Sequence, residues 1–212
     1  MRRLIIFDMD GTIADTSAGI FDTYRYVAQA LGRRVPDDSE LADAIGGALP
    51  ANLGRKLNLS SEEIPKAVRI YRDYYGKEGY RKSELYPEFK EILAVLKNRG
   101  FSMSVATMKA ERFAEQLIRE WGLNGYFVSV HGVDRYDKIT KSEMIRMCMK
   151  ETGCAPEDCT LVGDSVQDEK AAEEAGVRFV AVTYGFGFTE EDCRKAGTAY
   201  ARTPAELPEV IG

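Results

Sequence analysis

Histidine and tryptophan are almost missing from this sequence, with one of each among 212 residues. A serine–histidine–aspartate relay or a histidine-based metal centre would rest wholly on His131. That residue reads better as a strand-end or loop residue outside the chemistry. Cysteine is scarce too: four residues, at 148, 154, 159 and 193, with no pair at the spacing of a zinc knuckle or a CxxC redox site. Four reduced thiols in a cytoplasmic protein are the expectation. No apolar run reaches the roughly 18 residues that a membrane helix requires. The early apolar stretch LIIF leads straight into DMD, so it does not read as a signal peptide. Positive charge is the minority sign: 29 Lys and Arg against 34 Asp and Glu leave a net charge of −5. A dedicated nucleic-acid binder is usually basic, so neither nucleic acid nor membrane is an expected partner. The chain has no internal repeat and no low-complexity stretch.

What is present fits a folded enzyme-sized chain. Hydrophobic residues make up 44% and charged residues 30%, and a chain of this length buries roughly 70% of its unfolded surface. Continuous apolar runs, the mark of strands buried on both faces, fall at 4–7, 101–106, 127–130, 160–162 and 179–182, with a weak one at 199–200. Helical spacing fills the gaps at 88–98, 112–121, 142–152 and 168–174. Gly100, Gly122 and Gly153 follow the first three of these as stop signals. Alternation of this kind predicts a doubly wound, Rossmann-like parallel sheet of the α/β class. The interval between the first two strands is too long for one crossover helix and reads as helical throughout. Ile20, Tyr24, Val27 and Leu31 share a helical face that ends at Gly32, and 43–57 and 63–75 continue the pattern. An inserted helical domain over 16–83 is expected, with a core domain of 1–15 and 84–212. The joints would lie near Thr16 and between Ser83 and Pro87.

In open α/β sheets ligands bind beyond the carboxyl ends of the strands, and the polar residues of interest gather there. DMDGT closes the first strand. Residues two apart on a strand share a face, so Asp8 and Asp10 are expected side by side, each raising the other's pKa unless a cation intervenes. Gly11 allows a tight turn behind them. Thr107 ends FSMSVAT, as an anion-binding hydroxyl or a helix cap. Lys138 and Lys141 both precede the next helix. GDSVQD follows the strand at 160–162, and Asp164 and Asp168, four apart, would share a helical face. Clustered oxygen donors of this kind suit Mg²⁺. The glycine-rich TYGFG after Val182 reads as a structural turn that also has the place to rim the site.

DMDGT, Thr107, Lys141 and GDSVQD, in this order, resemble the haloacid dehalogenase superfamily of phosphohydrolases. The resemblance runs from Leu4 to about Leu207. The insert looks like that superfamily's α-helical cap. YPEFKEIL, AAEEAGV and the VTYGFG loop resemble its phosphoglycolate phosphatase-like branch. The resemblance implies Asp8 as the nucleophile that becomes a phospho-aspartate and Asp10 as general acid and base. It implies Thr107 as the phosphate-binding hydroxyl, aided by the backbone N–H groups of Met9, Asp10 and Met108, and Lys141 as the residue steadying nucleophile and phosphoryl group. Magnesium would be held by Asp8, the Asp10 carbonyl, Asp164 and Asp168. Family members often carry Lys-Pro where this chain has Lys141-Ser142. Lys141 is preferred to Lys138 because KSEMIRMCMKETG matches members with an equally compact segment. In the cap, Gly46, Gly47 and Arg55 are the candidate specificity contacts, whereas Tyr71, Tyr74, Tyr75 and Tyr80 read as packing.

The implied activity is a Mg²⁺-dependent phosphatase acting on a small-molecule phosphomonoester, as a monomer or homodimer. A 5′-nucleotidase, a sugar-phosphate phosphatase or a phosphohexose mutase would share the chemistry. From another class, a phospho-aspartate receiver domain also uses acids, a Thr and a Lys, but is shorter and has no helical insert. A non-catalytic binding protein on the same fold would not need the complete set of reactive residues.

Overall fold

Leu4–Phe7 are almost wholly removed from solvent, as a strand covered on both faces requires. They belong to a computed structural model that describes residues 3–133 and 138–212. Its strands are β1 (Arg3–Phe7), β2 (Ala14–Asp15), β3 (Glu84–Leu85), β4 (Phe101–Ala110), β5 (Val130–Val133), β6 (Cys159–Gly163), β7 (Arg178–Val182) and β8 (Tyr200–Ala201). Its helices are α1 (Ser17–Ala30), α2 (Asp38–Leu41), α3 (Leu49–Leu57), α4 (Ile64–Tyr74), α5 (Phe89–Asn98), α6 (Glu111–Glu120), α7 (Lys141–Thr152), α8 (Val166–Ala175), α9 (Glu190–Ala196) and α10 (Leu207–Ile211).

The chain divides into two compact units. One comprises the chain up to Ala14 together with Leu85–Gly212, and the other is Asp15–Glu84. The first contains a six-stranded sheet in the order β5-β4-β1-β6-β7-β8, parallel at every pairing. Counting only these strands, the order is 3-2-1-4-5-6, the doubly wound arrangement whose order reverses beside its first strand. The two faces of β1 meet different helices. Leu4 and Ile6 join Met144, Ile145 and Cys148 of α7 and Ala171 and Ala172 of α8 in one apolar cluster. Phe7 turns the other way, its ring 5.6 Å from that of Phe89 at the start of α5. Each such large apolar side chain contributes about 1.5–3 kcal/mol by leaving water. This double covering fixes the height of β1, and therefore of the residues that follow it.

The second unit is helical. Tyr24 of α1 stacks edge-on with Tyr71 of α4, which lies parallel to Tyr75 at 5.7 Å. Tyr75 and Tyr80 are buried, and Tyr74 stacks on Tyr26 and donates to Asp22 Oδ2. These tyrosines therefore pack the unit. The close approach of its two ends depends on glycine: a Cβ on Gly19 would lie 2.0 Å from the Gly79 carbonyl oxygen. Gly79 ends a π-helical stretch, Tyr75–Gly79, that continues α4.

Several local expectations need correction. The segment 43–57 is not one helix. The chain leaves helical geometry at Ile45, and Gly46 and Gly47 take φ of +76° and +69° before α3 begins at Leu49. The strand expected at 127–130 is β5, three residues later, because the ladder to β4 starts only at Val105–Val130. His131 is inside β5 rather than at a strand end. Among the described residues no helix is long and apolar enough to cross a membrane.

Candidate active site

At the end of β1 the backbone turns rather than running on as a strand. Asp8 N–H still donates to the Val162 carbonyl at 2.9 Å, tying the motif to β6. The N–H groups of Thr12, Ile13 and Ala14 then all converge on the Met9 carbonyl. Gly11 sits at φ +80° inside this turn, and a Cβ there would fall 2.2 Å from Asp164 Oδ2. A side chain at Gly11 would thus be both strained and in collision. The turn gives the two carboxylates different lysine partners, Lys141 for Asp8 and Lys109 for Asp10, while the charge of Asp10 still pushes Asp8 up, as the spacing of the two acids predicts.

Asp8 meets Lys141, whose Nζ lies 2.6 Å from Asp8 Oδ1 and also contacts Asp168 Oδ1. Lys141 is the first residue of α7, placed there by a capping box in which Thr140 and Glu143 exchange hydrogen bonds. A second capping box starts α8. Asp168 Oδ2 accepts from Ser165 N at 3.0 Å and Ser165 Oγ at 2.7 Å. Asp168 therefore divides its oxygens, one closing the helix cap and the other meeting Lys141. Asp164 precedes this helix rather than sharing a face of it, a correction. It is nevertheless brought in, for Asp8, Asp164 and Asp168 each offer an oxygen within 4.8 Å of the others. The Asp10 carboxylate is outside that triad. Lys138, the other lysine considered, is exposed.

Burial and like charge dominate the electrostatics. Asp164 is pushed up to about 8, first by burial and then by Asp8 and Asp168. Asp8 is pushed up to about 6, first by burial, against the pull of Lys141 and with added repulsion from Asp168 and Asp10. Burial works to lower Lys141, but the Asp168 and Asp8 carboxylates overcome it and hold the ammonium charged. In formal charge, with every group ionised, four buried carboxylates (Asp8, Asp10, Asp164, Asp168) face two buried ammonium groups (Lys109, Lys141), −4 + 2 = −2. An all-oxygen donor set with that surplus fits one divalent hard cation such as Mg²⁺.

Thr107 and Met108 lie in β4, at an irregularity. The pairing with β5 loses register between Ala106 and Ala110, and such bulges re-aim the residues within them. Thr107 is buried, and its Oγ1 accepts from Lys109 N at 3.2 Å. Lys109, which sequence reasoning missed, is also buried, with Nζ 2.7 Å from Asp10 Oδ1. Its signal was available: it stands two residues beyond Thr107, on the same side of a strand by alternation. A second missed contact comes from the glycine loop. Phe186 N–H donates to Asp164 Oδ2 at 2.7 Å. Gly185 packs so closely that a Cβ would lie 2.4 Å from the Gly11 carbonyl oxygen and 2.5 Å from Asp164 Cβ. TYGFG thus rims the site.

Gly46, Gly47 and Arg55 belong to the helical unit. There Arg55 pairs with Asp43 at 2.5 Å, and Asn52 Nδ2 donates to the Gly46 carbonyl at 2.8 Å. His131 pairs with Glu151 at 3.0 Å. All four cysteines are buried, and none is joined in a disulfide.

Residues 5–182 match the family model of the haloacid dehalogenase-like hydrolases. Phosphoglycolate phosphatase of Vibrio parahaemolyticus is 30% identical to this chain, across 99% of it and 96% of the relative. A 5′-nucleotidase of Pseudomonas aeruginosa is also 30% identical, across 98% and 94%. Among solved structures, a haloacid dehalogenase-like family hydrolase of Streptococcus pneumoniae superimposes with a TM-score of 0.90 at 27% identity, covering 100% of this chain and 99% of its own.

Proposed function

The chain belongs to the haloacid dehalogenase-like hydrolase family and is an enzyme of its phosphatase kind; from that premise we propose that it hydrolyses a small-molecule phosphomonoester through a phospho-aspartate on Asp8, with phosphoglycolate as the first candidate substrate. The observation that carries this reading is the contact of Lys141 with both Asp8 and Asp168, beside Asp164, in a buried site. Lys141 orients the Asp8 carboxylate and offers positive charge to the equatorial phosphoryl oxygens. Thr107 Oγ1 and the backbone N–H groups of Met9, Asp10 and Met108 bind the phosphate.

In the first step an Asp8 oxygen forms a bond to phosphorus while the bond from phosphorus to the leaving oxygen breaks. Asp10 gives its proton to that oxygen, releasing an alcohol. In the second step water attacks the phospho-aspartate and Asp10 takes its proton. The bond from Asp8 to phosphorus then breaks, and inorganic phosphate leaves. Splitting one hard displacement into two is what a carboxylate nucleophile contributes. Asp8, Asp164, Asp168 and the Asp10 carbonyl would hold Mg²⁺, which supplies charge neutralisation at the phosphoryl oxygens.

The helical unit is proposed as a cap, with Gly46, Gly47 and Arg55 as its specificity contacts. A nucleoside 5′-monophosphate is the second candidate substrate, on the strength of the 5′-nucleotidase relative. A phosphate-release screen with Mg²⁺ over phosphoglycolate, nucleoside monophosphates, sugar phosphates and pyrophosphate tests the reading. One strongly preferred monoester, lost in D8N, is the expected result. Release that survives D8N unchanged overturns the nucleophile, and no release from any compound overturns the phosphatase.

A further inference from the structure

Asp10 is the group on which both proton transfers depend, and something must hold it. It is not held by the triad of Asp8, Asp164 and Asp168. Asp10 Oδ1 is buried and, among the described residues, has no aligned hydrogen-bond partner. What stands against it is Lys109 Nζ at 2.7 Å, a close charge contact made off the hydrogen-bonding directions. Both side chains are less than a tenth exposed. A lysine stem reaching that depth gives up solvation and rotamer freedom together, which is unfavourable without a charged partner. Its own position is fixed twice over: it lies within the break in the β4 ladder, just before pairing resumes at Ala110, and its N–H is bound to Thr107 Oγ1. Thr107, Lys109 and Asp10 therefore form one linked unit, joining the proposed phosphate-binding hydroxyl to the proposed proton carrier.

We propose that Lys109 is the positioning residue for Asp10. Resting on the reading of Asp10 as general acid and base, it fixes the rotation of the carboxyl group through Oδ1 and leaves the other oxygen to carry the proton. The function is geometric: Lys109 touches no reacting atom and does not itself transfer the proton. The consequence depends on the leaving group. An alkoxide leaves only if protonated, so a misplaced Asp10 slows the first step. A p-nitrophenolate leaves without an acid, so the same displacement changes little. The ratio kcat/KM reports that first, phosphorylating step alone, undisturbed by the later hydrolysis of the phospho-aspartate.

The experiment measures kcat/KM with Mg²⁺ for n-propyl phosphate, p-nitrophenyl phosphate and 2-phosphoglycolate in wild type, K109M, K109R and D10N, each shown to be folded by circular dichroism. K109M is expected to lose about 10–100-fold on n-propyl phosphate, the usual range for a supporting partner of a reactive group. On p-nitrophenyl phosphate it should stay within about threefold of wild type. K109R, which restores the charge, should recover part of the alkyl activity. A crystal structure of K109M should show the Asp10 carboxyl rotated from its place, a readout independent of turnover. Equal losses on both esters, or an unmoved Asp10, overturn the proposal. A rise in KM confined to 2-phosphoglycolate would instead make Lys109 a clamp for the substrate carboxylate. If D10N itself shows no discrimination between alkyl and aryl esters, the acid reading of Asp10 fails first, and that failure is separate from the behaviour of K109M. Should K109M not fold, K109Q, which keeps a polar side chain without the charge, replaces it on the same criteria.

Discussion

Replacing Asp164 with asparagine should make the metal-free protein more stable, and increasingly so as pH rises. Asp164 is raised from 3.8 to about 8 by burial and by the charges of Asp8 and Asp168. A carboxyl whose folded value exceeds its unfolded value contributes most below the unfolded value and loses that contribution as pH rises through the folded one. The window therefore runs from about pH 4 to about pH 8. At about 1.36 kcal/mol per pH unit, the wild type should lose about 4 kcal/mol between pH 4 and pH 7 through this group alone. Asparagine is the same shape, does not titrate, and retains an oxygen to accept from Phe186 N–H, so the bond at 2.7 Å survives. The assay is urea unfolding in EDTA, followed by the fluorescence of Trp121, the single tryptophan, at the end of α6. Stability of D164N minus that of wild type should climb by a few kcal/mol, about 2–4, from pH 4 to pH 7. Asp8 adds a slope of the same sign to both proteins, so the difference reports Asp164. Magnesium at a hundredfold its Kd should restore about 2.7 kcal/mol to the wild type and much less to D164N. A flat difference curve would refute the electrostatic reasoning. An equal response of both proteins to magnesium would refute Asp164 as a ligand.

D8N should lower phosphate release by about 10⁴-fold or more, as removal of a nucleophile does, measured as inorganic phosphate under saturating substrate. G185A should cost about 1–3 kcal/mol by overpacking and depress kcat, because its Cβ meets the Gly11 carbonyl and Asp164; G125A, whose Cβ enters open space, serves as the control in the same melts. G19A should destabilise the helical unit through its collision with Gly79 at 2.0 Å, seen as earlier cleavage within 15–84 on limited proteolysis. The four cysteines should be nearly silent to a thiol reagent at pH 8 until the chain is unfolded: all are buried, and burial pushes Cys148 and Cys159 up to about 12.

Much of the core was legible because a parallel sheet leaves a coarse mark. The stretches at 4–7, 161–162 and 179–182 are apolar runs, and burial on both faces permits little else. β5 was misplaced because Phe127 and Val128 are apolar for another reason. Phe127 packs its ring 6.3 Å from Phe7 while its backbone is still outside the ladder. The helical unit was legible in type and not in detail. Periodicity carried through 43–57, yet Gly46 and Gly47 adopt left-handed backbone that no pattern of apolar residues encodes.

The same limit explains the site. Its acids and Lys141 stand at strand ends or helix starts, where sequence spacing speaks directly, whereas Thr107 lies inside β4, which runs on to Ala110. Spacing brought Asp8 and Asp10 together, and the charge of Asp10 does push Asp8 up, but the lysine that each one meets does not follow from spacing. Each of the two carboxylates thus has an ammonium group of its own, Asp8 that of Lys141 and Asp10 that of Lys109. Lys109 escaped notice although alternation from Thr107 pointed to it, because its partner is 99 positions away in the sequence (109 − 10), a pairing that local pattern does not record.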